Sequence, residues 1–463
     1  MGGRRWVAVL VGVLAVVPGV ASADEGEITF GPPTTVYAGY GSYGIAAGDF
    51  NGDGRPDLVV ANRNEAALAV LLGDGAGGFT LRKENTREQT WVPAVADFDR
   101  DGKVDLAVAD DRGELVLFTG QGDGTFVERA KHALGGGYGQ AIVVGDLDGD
   151  TDPDIAVGSS SGGAKPAVTV LLNDGAGAFT RIAAAGFGTY SDTLVGLALD
   201  DLDRDGKPDL VTVTTTELWV LSGRGDGTFG AAGTPLSGEV TGAALGDLDG
   251  DGRSDLVLTL VNAPGEVRAG NGDATFAAPR ALVLTTDPTV RRPVVADLDG
   301  DGRLDVVSTS GNGFWVVRNL GGGAFAAPVL FYSELPNPYL AVDLNSDGRL
   351  DLVDSLVEVR LNTSPVNRPP VAVDDAFTRR AWSSALRVPA PGVLANDTDP
   401  DGGPLTARLV AGPRHGTVTV AADGSFDYRA RSVLAGEDSF TYQVVDSAGA
   451  VSAPAKVTIR VGF

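Results

Sequence analysis

Residues 49–60 read DFNGDGRPDLVV, and the same pattern returns six more times along the chain. It stands as DFDRDGKVDLAV from Asp97, DLDGDTDPDIAV from Asp146, DLDRDGKPDLVT from Asp201 and DLDGDGRSDLVL from Asp247. The last copies are DLDGDGRLDVVS from Asp297 and DLNSDGRLDLVD from Asp343, with successive starts 46 to 55 residues apart. Between them a glycine-rich string recurs, from GDGAGGF to NLGGGAF, ending at Phe79, Phe126, Phe179, Phe229, Phe276 and Phe325. Two strings alternating in fixed order make this a repeat protein, and the repeat decides the fold before any single motif does.

Each unit reads as four short strands. A run such as 142–144 enters the acidic loop, 58–61 leaves one, 68–72 leads to the glycine hairpin, and a fourth run starts at the phenylalanine. These runs are short, β-branched and bounded by glycine and aspartate, which fits strands better than helices. Four strands per 40–50 residues is the period of a propeller blade. The seventh unit stops at 357–361 without its own hairpin and fourth strand, while 28–33 (ITFGPP) stands alone near the N-terminus. The N-terminal strand is therefore expected to complete the last blade and close a ring, hiding sheet edges. A linear solenoid would leave that split unit unexplained.

The acidic loops place side-chain oxygens at positions one, three, five and nine. The sets are Asp49, Asn51, Asp53 and Asp57; Asp97, Asp99, Asp101 and Asp105; Asp146, Asp148, Asp150 and Asp154; and Asp201, Asp203, Asp205 and Asp209. They continue as Asp247, Asp249, Asp251 and Asp255; Asp297, Asp299, Asp301 and Asp305; and Asp343, Asn345, Asp347 and Asp351. Alternate residues facing one centre, with a carbonyl from position seven, offer the all-oxygen shell that calcium prefers. Position six is glycine in every loop except at Thr151, which suits a sharp turn. An EF-hand would need a glutamate at position twelve, where the first loop has Val60 in a strand. Solvated aspartate turns are the plainer reading, but four carboxylates in nine residues repel one another without a counter-ion. About seven calcium ions are expected, of weak extracellular-type affinity.

With these residues in view, the units resemble the FG-GAP repeats of the integrin α-subunit propeller and the related bacterial VCBS-type repeats, over roughly residues 28–362. That resemblance implies a seven-bladed propeller with calcium in loops within the blades. Beyond a polar linker at 362–370, the strings PPVAVDDAF, VLANDTDPDGGPL, GPRHGTVTV and GEDSFTYQVVDSAG resemble the bacterial cadherin-like, Ig-type repeats of secreted surface proteins. Arg429-Ala430-Arg431 departs from that pattern after the tyrosine. Asn396, Asp397, Asp399 and Asp401, with Asp446, are a second possible calcium set, weighed equally against a polar turn because they lack fixed spacing.

Composition narrows the rest. A net charge of −25 argues against nucleic acid or an anionic membrane as the primary partner. No cysteine excludes disulfides, zinc thiolates and thiol nucleophiles, and only His132 and His415 are available as imidazoles. Arg4 and Arg5 before the apolar run 7–17, then Ala21-Ser22-Ala23, read as a secretory signal peptide over residues 1–23. An exported or surface protein without a transmembrane anchor is expected, with the periplasm as an alternative location. Carboxylate pairs are abundant but belong to the loops, so no catalytic residue is assigned. Arg224-Gly225-Asp226 belongs to a hairpin string, and the glycines of 39–44 match a dinucleotide fingerprint in letters only.

On the rim opposite the acidic loops, the residue six before each loop is Tyr43, Trp91, Gln140, Val195, Thr241, Arg291 and Asn337, with Tyr40, Tyr138, Tyr190 and Tyr339 close by. Aromatics beside polar groups suit a sugar or peptide ligand, with Tyr43, Trp91, Tyr138, Tyr190, Arg291 and Tyr339 as the candidate binding rim. The expected chain is all-β: a signal peptide (1–23), a seven-bladed propeller (24–361), a linker (362–370) and a β-sandwich (371–463). Its expected role is binding or adhesion to an extracellular protein or polysaccharide, and the alternative is a polysaccharide-degrading lyase or hydrolase on the same scaffold. Twenty-six of the 61 acidic residues are aspartates at loop ligand positions, so much of the net charge sits in the loops.

Overall fold

The computed structural model describes residues 28–463 except 40–41, 63, 65–66, 86–89, 136, 161–164, 188–191, 231–234, 283–290, 311–312, 333–338, 355, 366–368, 401, 433–435, 447–450 and 463. The expected signal peptide lies outside the described residues. Apart from a 3-10 turn at Gly392–Asn396, the described secondary structure is β. Two compact units divide the described residues, the first holding 30–298 and 303–362, the second 363 onward together with 28–29 and 299–302.

The first unit is a seven-bladed propeller. Seven four-stranded antiparallel sheets follow one another, beginning with Ser42–Gly48, Asp57–Asn62, Ala67–Gly73 and Phe79–Asn85 in blade one. In each blade the acidic loop joins the first strand to the second, as at Thr90–Ala96 and Asp105–Asp110 in blade two. Second strands are buried along nearly their whole length, with no alternation at Asp57–Asn62, Asp105–Asp110, Asp154–Ser160 and Asp209–Thr214. A strand sandwiched between neighbouring blades has both faces covered, so its sequence reads as a continuous apolar run. Apolar clusters join blade to blade; Leu58, Val60 and Leu71 of blade one, for instance, pack against Leu340, Val342, Val353 and Val359 of blade seven.

That cluster closes the ring. Thr34–Thr35 pairs with Glu358–Arg360 as the outer strand of blade seven, and Phe30 bridges Asn362. The split unit is thus completed from the N-terminal end, as expected, although the ladder itself begins at Thr34 rather than at residue 28. A related correction applies to the outer strands. They start at the phenylalanine in blades one to three, at Phe79, Phe126 and Phe179. In blades four to six they start later, at Leu236, Arg280 and Val329. Pro235, Pro279, Pro328 and, in blade seven, Pro33 stand directly before these delayed strands. Proline lacks the N–H a ladder needs, so pairing resumes only after it.

The second unit is a β-sandwich. One sheet orders the strands Asp375–Arg380, Ala455–Gly462, Asp438–Val445 and Thr406–Ala411; the other pairs Ala385–Val388, Phe426–Ala430 and Gly416–Val420. Phe426, Tyr428, Phe440, Tyr442, Val457 and Ile459 alternate inward to form its core, as period-two strands with one buried face require.

Candidate metal centres

In five loops the fold draws three carboxylates together. One oxygen from each member lies within 4.8 Å of the others in the sets Asp97, Asp99 and Asp101; Asp146, Asp148 and Asp154; Asp201, Asp203 and Asp209; Asp247, Asp249 and Asp251; and Asp297, Asp299 and Asp305. The first and last loops carry Asn51 and Asn345 at position three, whose amides donate to Asp53 (3.1 Å) and Asp347 (2.9 Å). The donor sets fit a hard cation, being all oxygen and strongly negative. A second observation supports the fit: Asp201 Oδ1 is buried and meets no hydrogen-bond donor among the described residues. A buried carboxylate oxygen without a donor is costly unless a cation sits opposite it. These aspartate clusters could therefore bind metal ions.

Position nine has a structural task beside its place in the loop. In all seven loops its Oδ2 accepts the amide of position two, and its Oδ1 accepts the first amide of the glycine hairpin or, in the seventh blade, which has no hairpin, the amide of Asn362, at 2.7–3.0 Å. The pairs are Phe50 and Gly73 for Asp57, Phe98 and Gly120 for Asp105, Leu147 and Asn173 for Asp154, and Leu202 and Gly223 for Asp209. They continue as Leu248 and Gly270 for Asp255, Leu298 and Asn319 for Asp305, and Leu344 and Asn362 for Asp351. Burial pushes the carboxyls of Asp57, Asp105, Asp154, Asp209, Asp255 and Asp351 up more strongly than the amides hold them down, to about 7 at Asp154 and about 6 at Asp209 and Asp351. Neighbouring carboxylates add to the rise.

Three further devices were not read from the sequence. Position four adopts a left-handed backbone in all seven loops, at Gly52, Arg100, Gly149, Arg204, Gly250, Gly300 and Ser346, and so does position six, with Thr151 at φ 74. Glycine at position four in four of the copies was the available signal. Position seven supplies a counter-charge to position five, through Lys103–Asp101 (2.9 Å), Lys207–Asp205 (2.8 Å), Arg253–Asp251 (3.2 Å) and Arg349–Asp347. The third loop has Asp152 at position seven instead, and Arg100 reaches over from the second loop to pair with it and with Thr151 Oγ1 (3.1 Å).

The third device stitches neighbouring blades. The position-two carbonyl of each of the first six loops accepts a hydrogen bond from the next blade, at its hairpin or, in blade seven, at Asn362. Backbone amides serve at Gly124 to Phe50 (2.8 Å), Gly227 to Leu147 (2.9 Å) and Ala274 to Leu202 (3.2 Å). Side-chain amides serve at Asn173 to Phe98 (2.9 Å), Asn319 to Leu248 (2.6 Å) and Asn362 to Leu298 (2.6 Å). These hydrogen bonds tie each of the six acidic loops to the next blade.

At the opposite rim the predicted residues share one backbone feature. Ladder register shifts skip Tyr43, Trp91, Gln140, Val195 and Thr241, the extra residues of β-bulges, and blade six shifts between Arg291 and Val294. Bulges re-aim side chains and cluster beside functional sites. Trp91 stacks on Tyr138 of the next blade, with centroids 6.3 Å apart and planes 14° from parallel, and Tyr138 is 47% exposed. Tyr43, Arg291 and Tyr339 stand on innermost strands. Tyr40, Tyr190 and Asn337 lie outside the described residues. His132 packs edge-on against Phe179, and burial lowers its pKa. Arg224–Asp226 forms the expected hairpin turn, with the Arg224 amide donating to Thr228 O at 3.0 Å.

In the sandwich, Asn396 donates to the carbonyls of Val373 and Asp374 (3.3 and 3.2 Å). Asp397 joins Asp375 around the Tyr442 hydroxyl, each carboxylate within 3.1 Å of it. Asp401 lies outside the described residues.

Residues 20–60, 49–108, 97–157, 146–212, 201–258, 247–308 and 297–353 match the FG-GAP-like repeat family, and 367–462 match the bacterial cadherin-like domain. No curated protein matches the chain. Solved structures similar to it include BBS1N in complex with ARL6DN, soaked with mercury, at 13% identity and TM-score 0.50, covering 73% of this chain and 97% of that one. Another is an Agrocybe aegerita lectin that recognises non-reducing terminal N-acetylglucosamine, at 18% identity and TM-score 0.45, covering 78% and 95%. At these identities the BBS1N likeness shows the fold alone.

Proposed function

Because this chain belongs to the FG-GAP-like repeat family and carries a bacterial cadherin-like domain after its repeats, we propose that it is an exported, calcium-stabilised module for binding and adhesion. About seven calcium ions sit in the acidic loops, held by the position-one, -three, -five and -nine side chains, with position nine also fixing the loop to the strand that follows. The ions neutralise converging carboxylates and stiffen one face of the ring. The opposite rim takes the ligand, an extracellular protein or polysaccharide.

The observation that carries this reading is the bulge repeated at one level of six blades, with the Trp91–Tyr138 pair beside it. Stacked aromatic faces at an accessible rim suit sugar rings or apolar peptide side chains. The sequence of residues 1–23 supports export. Among the described residues no helix is long and apolar enough to cross a membrane.

The test is a Trp91→Ala/Tyr138→Ala double variant against arrays of extracellular glycans and purified cell-surface proteins, in calcium. The wild type is expected to select a ligand that the variant loses, with the melting temperature little changed. Equal binding by both proteins would retire the rim. Release of unsaturated or reducing ends from a bound polysaccharide would transfer the assignment to an enzyme.

A further inference from the structure

The sandwich carries its charge unevenly. Residues 371–463 hold nine Lys/Arg against ten Asp/Glu, so nearly all of the protein's net −25 lies elsewhere. Asp374, Asp375 and Asp397 gather where the chain enters the module, Asp397 accepting the Val373 amide and Asp374 the Lys456 amide. The other end is arginine-rich. There Arg380 pairs with Gly462, Ala385 with Arg429 and Gly416 with Ala430. Ala430 donates to Ser384 O and Arg431 to His415 O, which brings the turn at 381–384 and the loop at 411–415 to the same end.

Arg380, Arg414, Arg429 and Arg431 are exposed at this end and make no ion pair among the described residues. The local acids are engaged: Glu437 pairs with Arg460 at 3.7 Å, and buried Asp438 accepts from the amides of Arg414 and His415 and from the Tyr428 hydroxyl. Between Arg380 and Arg429 stands Trp382, 74% exposed and in a left-handed backbone conformation, φ 67. A bulky residue there bears backbone strain and leaves an indole exposed.

We propose that this end of the sandwich binds a carboxylated polysaccharide. Guanidinium forks match carboxylates in bidentate geometry, and an indole covers the apolar face of one sugar ring. Every free cation here is an arginine. Insertion into an anionic membrane would call for several apolar side chains around the tryptophan, whereas its chain neighbours are Ala381 and Ser383, with Arg380 and Ser384 beyond them. The site is independent of the propeller rim.

The experiment titrates the full chain, in constant calcium, with short oligogalacturonates that do not gel, with neutral dextran oligomers, and with phosphatidylglycerol vesicles. Oligogalacturonate is expected to bind, dextran is not, and added NaCl weakens the binding. Arg429→Ala/Arg431→Ala weakens it at least about tenfold, the scale of losing one charged hydrogen bond. Trp382→Gly also weakens it while melting at or above the wild-type temperature, because glycine tolerates the turn. A merely structural tryptophan would lower both. Unchanged affinity in the arginine variant, no oligogalacturonate binding, or binding confined to the vesicles would each overturn the proposal.

Discussion

Calcium removal is the sharpest test of the metal loops. With affinities of about 10⁻⁴–10⁻³ M, a bath of about 10 mM calcium adds roughly 1.4–2.7 kcal/mol per occupied loop. Seven loops then add on the order of 10–19 kcal/mol to a cooperative ring. Unfolding entropy of about 2.1 cal/mol/K per residue, over roughly 330 residues, makes that a fall in Tm of about 14–27 °C when a chelator replaces calcium. pH supplies an internal control. Asp154, Asp209 and Asp351 have folded pKa values of about 7, 6 and 6, above the ordinary 3.8. In the metal-free protein these groups bind protons more readily folded than unfolded, so their contribution is complete near pH 4 and is lost as pH rises toward 7. The chelated protein should therefore melt higher at pH 5.5 than at pH 7.5, and the gap to the calcium form should narrow on acidification. Differential scanning calorimetry at both pH values reads the result. A gap below about 2 °C at pH 7.5, or one that widens at pH 5.5, would refute the argument.

Backbone and stitching predictions follow from single residues. Thr151→Gly and Ala274→Gly relieve left-handed strain at φ 74 and 60, and each should raise stability by about 0.5–1 kcal/mol in urea melts. Asn173→Gly removes the donor to Phe98 O and should cost about 1–3 kcal/mol, because a buried carbonyl is left unpaired. Removing the N-terminal residues through Thr35 exposes Glu358–Arg360 as an open edge, and light scattering should then report more concentration-dependent association than for the full chain.

Much of the ring was legible because each blade repeats its own local chemistry. Aspartate spacing marked the loops, apolar runs marked the buried strands, and the truncated seventh unit pointed to closure. Proline-delayed outer strands were legible too, since Pro235, Pro279 and Pro328 stand in the sequence, but the phenylalanine was read as the strand start because it recurs more regularly. What the sequence could not display is pairing between units. Asn173 looks like one more hairpin residue until its amide is found on the carbonyl of Phe98, 75 residues earlier. Trp91 and Tyr138 are likewise 47 positions apart and meet only across a blade boundary. A β-bulge is a property of two strands, so the shared offset of the rim residues appears only once register is known.

The third loop shows how far the blades depend on one another. It lacks glycine at position six and a basic residue at position seven, the two features that ease the turn and balance the charge elsewhere. Read alone, it is the weakest cage. In the ring, Arg100 from the second loop supplies the missing positive charge, pairing with Asp152 and donating to Thr151 Oγ1. Arg100 is itself an exposed residue in a left-handed conformation, at φ 59. Substituting Arg100→Gly separates the two effects: the second loop should relax, while the third keeps a buried Asp152 without its partner. Calcium titration should then show one site weakened out of the set, and that site should regain affinity when Asp152→Lys restores the position-seven charge from within its own loop.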